Sequence, residues 1–490
     1  VDLVVGVDMA TSEVRAMAAD AGGRVHAEAR HALPAPTSPR PGWSEQDGRA
    51  WWPAVATALR EVTDRLGPDR TVVAVSVCAT SGTVVALDGR GEPIGPALTY
   101  ADQRAVTEAE VAQSAAVDRC AALGLRVQAS FGLPKWAWLV SVARAGTGPR
   151  VAGLAHASDV VVRRLVGGPA PADWSHALKS GYDPVRREWA SEAMAALGIP
   201  TTLLPEVGRP TDVAGRVGED AAEATGLPVG CEVRLGMTDS CASQLAAGAG
   251  EPGRFVSVLG TTLALKGASR ELVRDPSGAV YSHRHPDGWW LPGGASSTGA
   301  GALAAAFPGR EPSELDEVAA AHGPATCVVY PLVGRGERFP FVAPDAEGFV
   351  LGEPVDEQPA KGADRVRATF EGVAFVERLG YERLAELGAP AQSPIVVTGG
   401  GSSSVVWNRI RATVLGVPLL ATPGASTSLG ACILAAAGTL HPDLAAATAA
   451  MSATGELVEP VDAERDALGA SYQRFRDAVV DRGWVSSASM

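Results

Sequence analysis

Leu3-Val4-Val5-Gly6-Val7-Asp8-Met9-Ala10-Thr11-Ser12-Glu13-Val14-Arg15 opens the chain as an apolar strand, a short polar turn and a returning strand. On the return, Val14, Ala16 and Ala18 alternate with other residues, the two-residue period of a strand with one covered face. The pattern recurs half a chain later. Phe255-Val256-Ser257-Val258-Leu259 runs into Gly260-Thr261-Thr262, and Leu263-Ala264-Leu265-Lys266 runs out. Both turns carry small residues and hydroxyls, so backbone N–H groups can approach phosphate oxygens without side-chain bulk. Either turn alone is compatible with an ordinary hairpin. The matched pair suggests duplicated domains, each supplying one wall of a phosphate clamp.

With 490 residues the chain exceeds one comfortable core. We place the domains at 1–243 and 244–490, with a terminal helix over Val461–Trp484 that returns to pack on the first. The net charge of −13 argues against non-specific nucleic-acid binding, which needs Lys and Arg to neutralise phosphates. The six cysteines show no CxxC pair and no Cys/His metal spacing, so they read as buried reduced thiols of a cytoplasmic protein. The N-terminus lacks the pattern of a signal peptide, and no apolar run of about 18 residues reads as a membrane span.

Strands are expected at Thr71–Cys78, Val84–Asp88 and Cys231–Gly236, and helices at Trp51–Leu66 and Met237–Ala247. Ile395–Thr398 reads as a strand that meets Gly399-Gly400-Gly401-Ser402-Ser403-Ser404, and Val405–Leu415 reads as the helix that follows. A strand, a glycine-rich turn and a helix N-terminus favour phosphate, although the Walker-A and dinucleotide spacings are absent. Phosphoryl transfer to an alcohol needs a carboxylate for the proton, a metal for the charge and backbone donors for alignment. Asp8, at a strand end, and Asp239, where a strand meets a helix, are the candidate carboxylates. A turn-forming Asp8 and a helix-capping Asp239 are the plain alternatives.

Several further stretches, in order, resemble the FGGY carbohydrate kinases over nearly the whole chain. Gly6–Arg15 resembles the first phosphate motif, and Pro41-Gly42-Trp43-Ser44-Glu45-Gln46-Asp47 the Gly-Trp-x-Glu-Gln segment. Tyr100-Ala101-Asp102-Gln103-Arg104 resembles the substrate-side Asp-x-Arg segment, and Gly236-Met237-Thr238-Asp239-Ser240 the catalytic-aspartate motif. Leu259–Thr262 resembles the second phosphate motif, and Gly334–Pro340 the Gly-Glu-Arg-x-Pro loop. Thr398–Trp407, with Gly430-Ala431, resembles the adenosine motif.

The resemblance implies an α/β fold of two actin-like, ribonuclease-H-like domains with an active-site cleft between them. It implies ATP and Mg²⁺, with Asp239 as general base and Asp8 with Asp239 near the metal and the substrate. Asp102 would be a further substrate contact. Thr11, Ser12, Gly260, Thr261 and Thr262 would meet the transferring phosphate. Gly400, Gly401 and Ser404 would border the adenosine, with Trp407 either covering the adenine or packing in the core. Glu337 and Arg338 read as an ion pair under their loop. His176, His283 and His285 read as acid/base candidates or, more simply, as structural polar residues. Ala10 stands where the family usually has glycine. A positive φ there would cost about 1 kcal/mol or more, whereas a negative φ would only narrow the phosphate approach.

Thr80-Ser81-Gly82-Thr83 replaces the Gln-Met-His-Gly run of many xylulokinases. This stretch, Asp173–Asp183, Val280–His283 and Gly293–Gly299 resemble ribulokinase-like pentulose kinases of cyanobacteria and plants. By that similarity Ser81 contacts a sugar hydroxyl, unless it caps a strand end. The expected substrate is a ketopentose, D-ribulose ahead of D-xylulose. A kinase for another polyol or cyclitol and a non-catalytic actin-like ATP-binding scaffold are the alternatives. The expected partners are the sugar and ATP, with neither nucleic acid nor membrane; a homodimer is open as the assembly.

Overall fold

A computed structural model describes residues 1–146, 150–352 and 362–485. The chain forms two compact units. One comprises Val1–Ala246, His283–Gly288 and Ser426–Ser452; the other holds Ala247–Ser282, Trp289–Ala425 and the chain from Ala453 onward.

In the first unit the opening hairpin consists of β1 (Asp2–Met9) and β2 (Glu13–Ala19), paired antiparallel with Asp8 opposite Arg15. β3 (Val25–Ala32), β4 (Thr71–Ala79), β5 (Val213–Arg216) and β6 (Glu232–Arg234) complete a six-stranded sheet in the order β5-β6-β4-β1-β2-β3. β4 runs parallel to both β1 and β6. The helix Trp51–Asp64 buries Trp51, Ala54, Val55, Ala58, Leu59 and Val62. This spacing of three and four residues gives one apolar face, which packs on β2 and β3. The helix stops two residues short of its sequence-based end, where Arg65 and Leu66 close the last turn through carbonyls three residues back.

The helix Thr427–Ala436 also belongs to the first unit, lying against β1 and the helix Asp239–Ala246. Gly430 is packed in this layer: a Cβ there would stand 2.0 Å from the carbonyl oxygen of Ala242. Gly430 and Ala431 are thus buried packing residues. The terminal helix, Arg465–Asp481, corrects another expectation. It packs within the second unit, on the helices Ala363–Glu386 and Val405–Leu415. Its apolar face, with Leu468, Tyr472, Phe475 and Val479, has its partners in that core.

The second unit repeats the hairpin as β7 (Phe255–Leu259) and β8 (Leu263–Gly267). β9 (Trp290–Ala295), β10 (Ile395–Thr398), β11 (Leu419–Ala421) and β12 (Glu456–Val458) extend it in the order β9-β8-β7-β10-β11-β12. β7 and β10 are parallel, with Val258 opposite Thr398. Behind them Arg411 and Glu377, both with no exposed surface, form a two-pronged ion pair at 2.6 and 2.8 Å. Ser257 on β7 donates to Glu377 at 2.5 Å, and Arg411 donates to Asn408 at 3.1 Å. Asn408 in turn donates to the Ser402 carbonyl at 2.6 Å.

Removing one member of a buried pair strands the other charge, at about 3–5 kcal/mol. Glu377→Ala is therefore expected to lower the denaturation midpoint of the second unit by that order, and the apolar pair Glu377→Leu/Arg411→Met by clearly less. Urea titration of the full chain followed by Trp fluorescence checks the ranking.

Candidate active site

In the first unit three parallel strands, β6-β4-β1, end side by side. The carboxyl ends of such strands are where α/β sheets place ligands, since the chain leaves the sheet there and exposes polar backbone. Asp8 lies near the end of β1, opposite Cys78 of β4, and Thr80 bonds back to the Met9 carbonyl. Thr238 bridges to Ala79, which brings Asp239 beside the Thr80-Ser81 turn. Gly236 makes that approach feasible. Its φ is +81°, and a Cβ there would stand 2.0 Å from the Val77 carbonyl oxygen. Asp8, Ser81 and Asp239 therefore share one edge of the first unit.

Their electrostatics differ from those of ordinary surface carboxylates. Asp8 is buried, and its only ion-pair partner, among the described residues, is Arg15 at 3.1 Å. Burial raises its carboxyl to about 7, against the pull of Arg15, and the negative charge of Asp239 adds to the rise. Asp239 is the first residue of its helix and accepts the Ser240 N–H at 2.6 Å. Its surface is partly exposed, yet burial by surrounding protein raises its carboxyl; the Ser240 N–H, His176, Lys179 and the Thr80 hydroxyl act in the opposite direction. Ser81 Oγ is buried with no hydrogen-bond partner among the described residues. A buried hydroxyl without a partner costs about 1–3 kcal/mol unless something satisfies it, and this one does not cap the strand.

Ala10 keeps an ordinary negative φ, so the first turn carries no strain at that position. The turn is braced from beneath. Gln46 Nε2 donates to the Thr11 carbonyl at 2.9 Å and to that of Pro34 at 2.8 Å, while Leu33 N–H donates to Ser12. These contacts leave the Ser12 side chain exposed and that of Thr11 half-buried.

Asp102 departs from its expected role. It has no exposed surface and accepts from Ser44 N–H at 2.7 Å and from Arg104 Nη2 at 2.8 Å. Arg104 also pairs with Glu45 at 2.8 Å and lies 3.6 Å from the Trp43 ring. The Gly-Trp-x-Glu-Gln and Asp-x-Arg segments are thus one internal strut, and Asp102 positions Arg104 instead of meeting substrate.

In the second unit the parallel strands β7 and β10 end together and carry the two remaining turns. Gly399, with φ +87°, and Gly401 both press on Leu259; a Cβ on Gly401 would stand 2.5 Å from the Leu259 side chain. This close approach sets the Gly260-Thr261-Thr262 turn against the Gly400–Ser404 turn. Thr261 and Gly400 are exposed, with nothing within 4 Å of where a Gly400 Cβ would sit. Ser404 caps its helix, accepting from Trp407 N–H at 3.0 Å and donating to Asp316 at 2.7 Å.

Trp407 is 3% exposed, donates to the Phe370 carbonyl at 3.1 Å and packs 4.7 Å from the Phe370 ring. It is core, not an adenine cover. Glu337 and Arg338 form no ion pair: Glu337 accepts from Ser296, Ser297 N–H and Tyr330, while Arg338 Nε donates to the Ala295 carbonyl.

The structure adds residues that sequence reasoning did not assign. Thr80 bonds Asp239. Lys135 is wholly buried and donates to the carbonyls of Gly82 at 2.6 Å and Thr99 at 2.8 Å, bracing the Ser81 turn. Asp173 and His176 are buried next to Ala79 and Thr238. A Lys in an apolar helix and a lone Asp-x-x-His carry no sequence signal for these contacts.

Among the described residues no three or more His, Cys, Asp or Glu converge as a metal site. No described helix is long and apolar enough to cross a membrane. All six cysteines are buried and unpaired with one another.

Residues 3–246 match the FGGY family of carbohydrate kinases, N-terminal domain, and residues 255–439 its C-terminal domain. The chain is 30% identical to a xylulose kinase of Streptomyces rubiginosus over 506 residues, covering 98% of each. It is 26% identical to an apulose kinase of Pectobacterium atrosepticum, covering 97% of each. The crystal structure of xylulose kinase from Rhodospirillum rubrum matches with a TM-score of 0.87 at 27% identity, covering 98% of each chain. Plasmodium falciparum glycerol kinase with ADP shares the fold, with a TM-score of 0.83 at 15% identity over 99% of each chain. With both halves matched and full-length relatives of the same two-domain actin-like architecture, the chain belongs to the FGGY family of carbohydrate kinases and is an ATP-dependent sugar kinase.

Proposed function

We propose that the chain phosphorylates a ketopentose, D-ribulose in preference to D-xylulose, with Asp239 as the general base. The observation that carries this reading is the buried, unpartnered Ser81 hydroxyl on the same strand-end edge as Asp8 and Asp239. A sugar hydroxyl there would satisfy Ser81 while another lies within reach of a carboxylate. Asp239 takes the proton as the alcohol oxygen bonds to the γ-phosphorus, and the bond to the departing ADP breaks. A base whose proton affinity is raised by burial accepts that proton more readily. D-Xylulose is the second reading, favoured by the xylulose kinases among the relatives.

Thr11, Ser12, Gly260, Thr261 and Thr262 are proposed to hold the transferring phosphate, and Gly400, Gly401 and Ser404 to border the adenosine. Mg²⁺ fits this donor set. It is commonly bound by one or two carboxylates plus substrate phosphates, and Asp8 and Asp239 are two such carboxylates, the negative charge of Asp239 adding to the rise of the Asp8 carboxyl. Bound there, the ion would neutralise phosphate oxygens.

Asp239→Asn is expected to reduce kcat by about 10²–10⁴-fold while ATP still binds, measured by ADP release and calorimetric titration; a wild-type rate would remove Asp239 as base. Ser81→Ala is expected to raise the sugar KM about tenfold, the worth of one hydrogen bond, with the ATP KM unchanged. A panel of ketopentoses, polyols and cyclitols assayed by ADP release tests the substrate class; turnover of cyclitols with none of ketopentoses overturns it.

Asp8 gives a stability test. An acid raised to about 7 in the fold binds its proton more tightly folded than unfolded. Its stabilising contribution is therefore present below about pH 4 and lost as pH rises through about 7. In metal-free buffer Asp8→Asn should melt progressively higher than wild type between pH 4 and 8, read by calorimetry.

A further inference from the structure

Beneath the strand-end edge lies a second charged pair. Asp173 precedes the short helix Trp174–Ala177 and accepts from Ser175 N–H at 2.8 Å and Ser175 Oγ at 2.5 Å. Its other oxygen meets His176 Nδ1 at 2.5 Å. His176 Nε2 lies 3.1 Å from the Ala79 carbonyl oxygen. A carboxylate and a carbonyl are both acceptors, so each ring nitrogen carries a proton and His176 is a cation. Ser175 Oγ also accepts the Thr238 N–H at 2.9 Å. One arm of the pair thus ends on the residue before Thr80-Ser81, and the other on the residue before Asp239. Both side chains are at most 2% exposed.

We propose that Asp173 and His176 are a positioning pair for phosphoryl transfer, holding the Ser81 turn and Asp239 in register through Ala79 and Thr238. The proposal rests on the reading of Asp239 as the base. A buried ion pair adds little stability over apolar residues of the same shape, so core packing alone does not call for one here. Burial depresses the proton affinity of His176, and the Asp173 charge more than reverses this, raising it to about 9. The positive charge of His176 in turn works against the burial that raises Asp239.

Other groups face the same region. On the His176 side stand Asp159 and His156; the His156 ring, 5.6 Å away, bonds Asp159 and Ser180. On the Asp239 side stand Asp8 from β1, Thr80 and Cys78 from β4, and Lys179 from the turn after the helix. Exchanging only Asp173 and His176 for neutral residues leaves all of these in place.

The test uses the full chain, with the fold of each variant checked by circular dichroism. In the neutral variant Asp173→Asn/His176→Gln kcat is expected to fall about 10²-fold and the sugar KM to rise, with the ATP KM unchanged. A folded variant that keeps the wild-type kcat and sugar KM overturns the proposal. A lowered kcat here beside a wild-type rate in Asp239→Asn leaves the positioning pair standing and removes Asp239 as the base. Ser175→Ala provides a milder cut: kcat down about tenfold with an unchanged ATP KM supports the proposal, and an unchanged kcat overturns it.

Discussion

Taking a carboxylate out of water costs several kcal/mol unless a cation or several donors meet it. The carboxylates within or near the core of the first unit are sorted by the way each is compensated. Asp102 has Arg104 in a forked pair and a backbone N–H besides. Asp173 has His176 and Ser175, and its carboxyl is held low despite its burial. Asp159 has His156 through both ring and backbone. Asp8 and Asp239 are left with less. Asp8 has a single guanidinium contact, and Asp239 the Ser240 N–H and the Thr80 hydroxyl beside it. Both end with their carboxyls raised. Incomplete compensation at two neighbouring carboxylates is what the proposed site for a hydroxyl and a divalent cation would require.

The second unit uses the opposite arrangement. Its deepest charges, Glu377 and Arg411, are fully matched, so that pair needs no ligand. The network instead runs through Asn408 to Ser402 and holds the glycine turn from behind. The exposed residues of the turns stand on this internally bonded frame. An anion arriving there meets donors that need no rearrangement, which is the condition under which fixed dipoles stabilise transferring charge best.

Much of this was legible from sequence because it is local. The hairpins at β1–β2 and β7–β8, the strand Ile395–Thr398 and the helix Val405–Leu415 follow from alternation, small-residue turns and helical spacing. Each lies where the pattern puts it. What sequence did not reveal was orientation. Asp102 sits two residues from Arg104, and nothing in that spacing says that the carboxylate folds inward onto its own neighbour. Trp407 stands one turn into a helix beside the glycine loop, and only the position of Phe370 decides that it faces the core. The terminal helix has an apolar face that would suit either unit; the cluster around Tyr330 and Phe475 fixes its place in the second. Lys135 went unassigned because its partners are backbone carbonyls, which carry no residue identity to read, and Asp173 and His176 gave no sign that they reach the turn through Ala79 and Thr238.

The Ser81 turn shows how such backbone contacts bear on substrate choice. Its shape is set from below by Lys135, which spans the carbonyls of Gly82 and Thr99, and by His176 on Ala79. Burial lowers the Lys135 ammonium to about 7, so its proton is held largely by those two carbonyls and the nearby Asp102 charge. Gly82 has φ +83°, and a Cβ there would stand 3.1 Å from the Ser130 carbonyl oxygen, which leaves little room for any other residue at that point of the turn. With the backbone fixed on both sides, the turn's freedom is confined to the Ser81 side chain. A histidine-bearing turn would reach further and read a sugar hydroxyl with a ring nitrogen. A serine held this firmly leaves more space and one short hydroxyl. On the proposed reading, discrimination between ketopentoses that differ in the configuration of one carbon would follow from whether one hydroxyl can meet Ser81 while another stays beside Asp239. That is a matter of distances fixed by buried residues, none of which need touch the sugar.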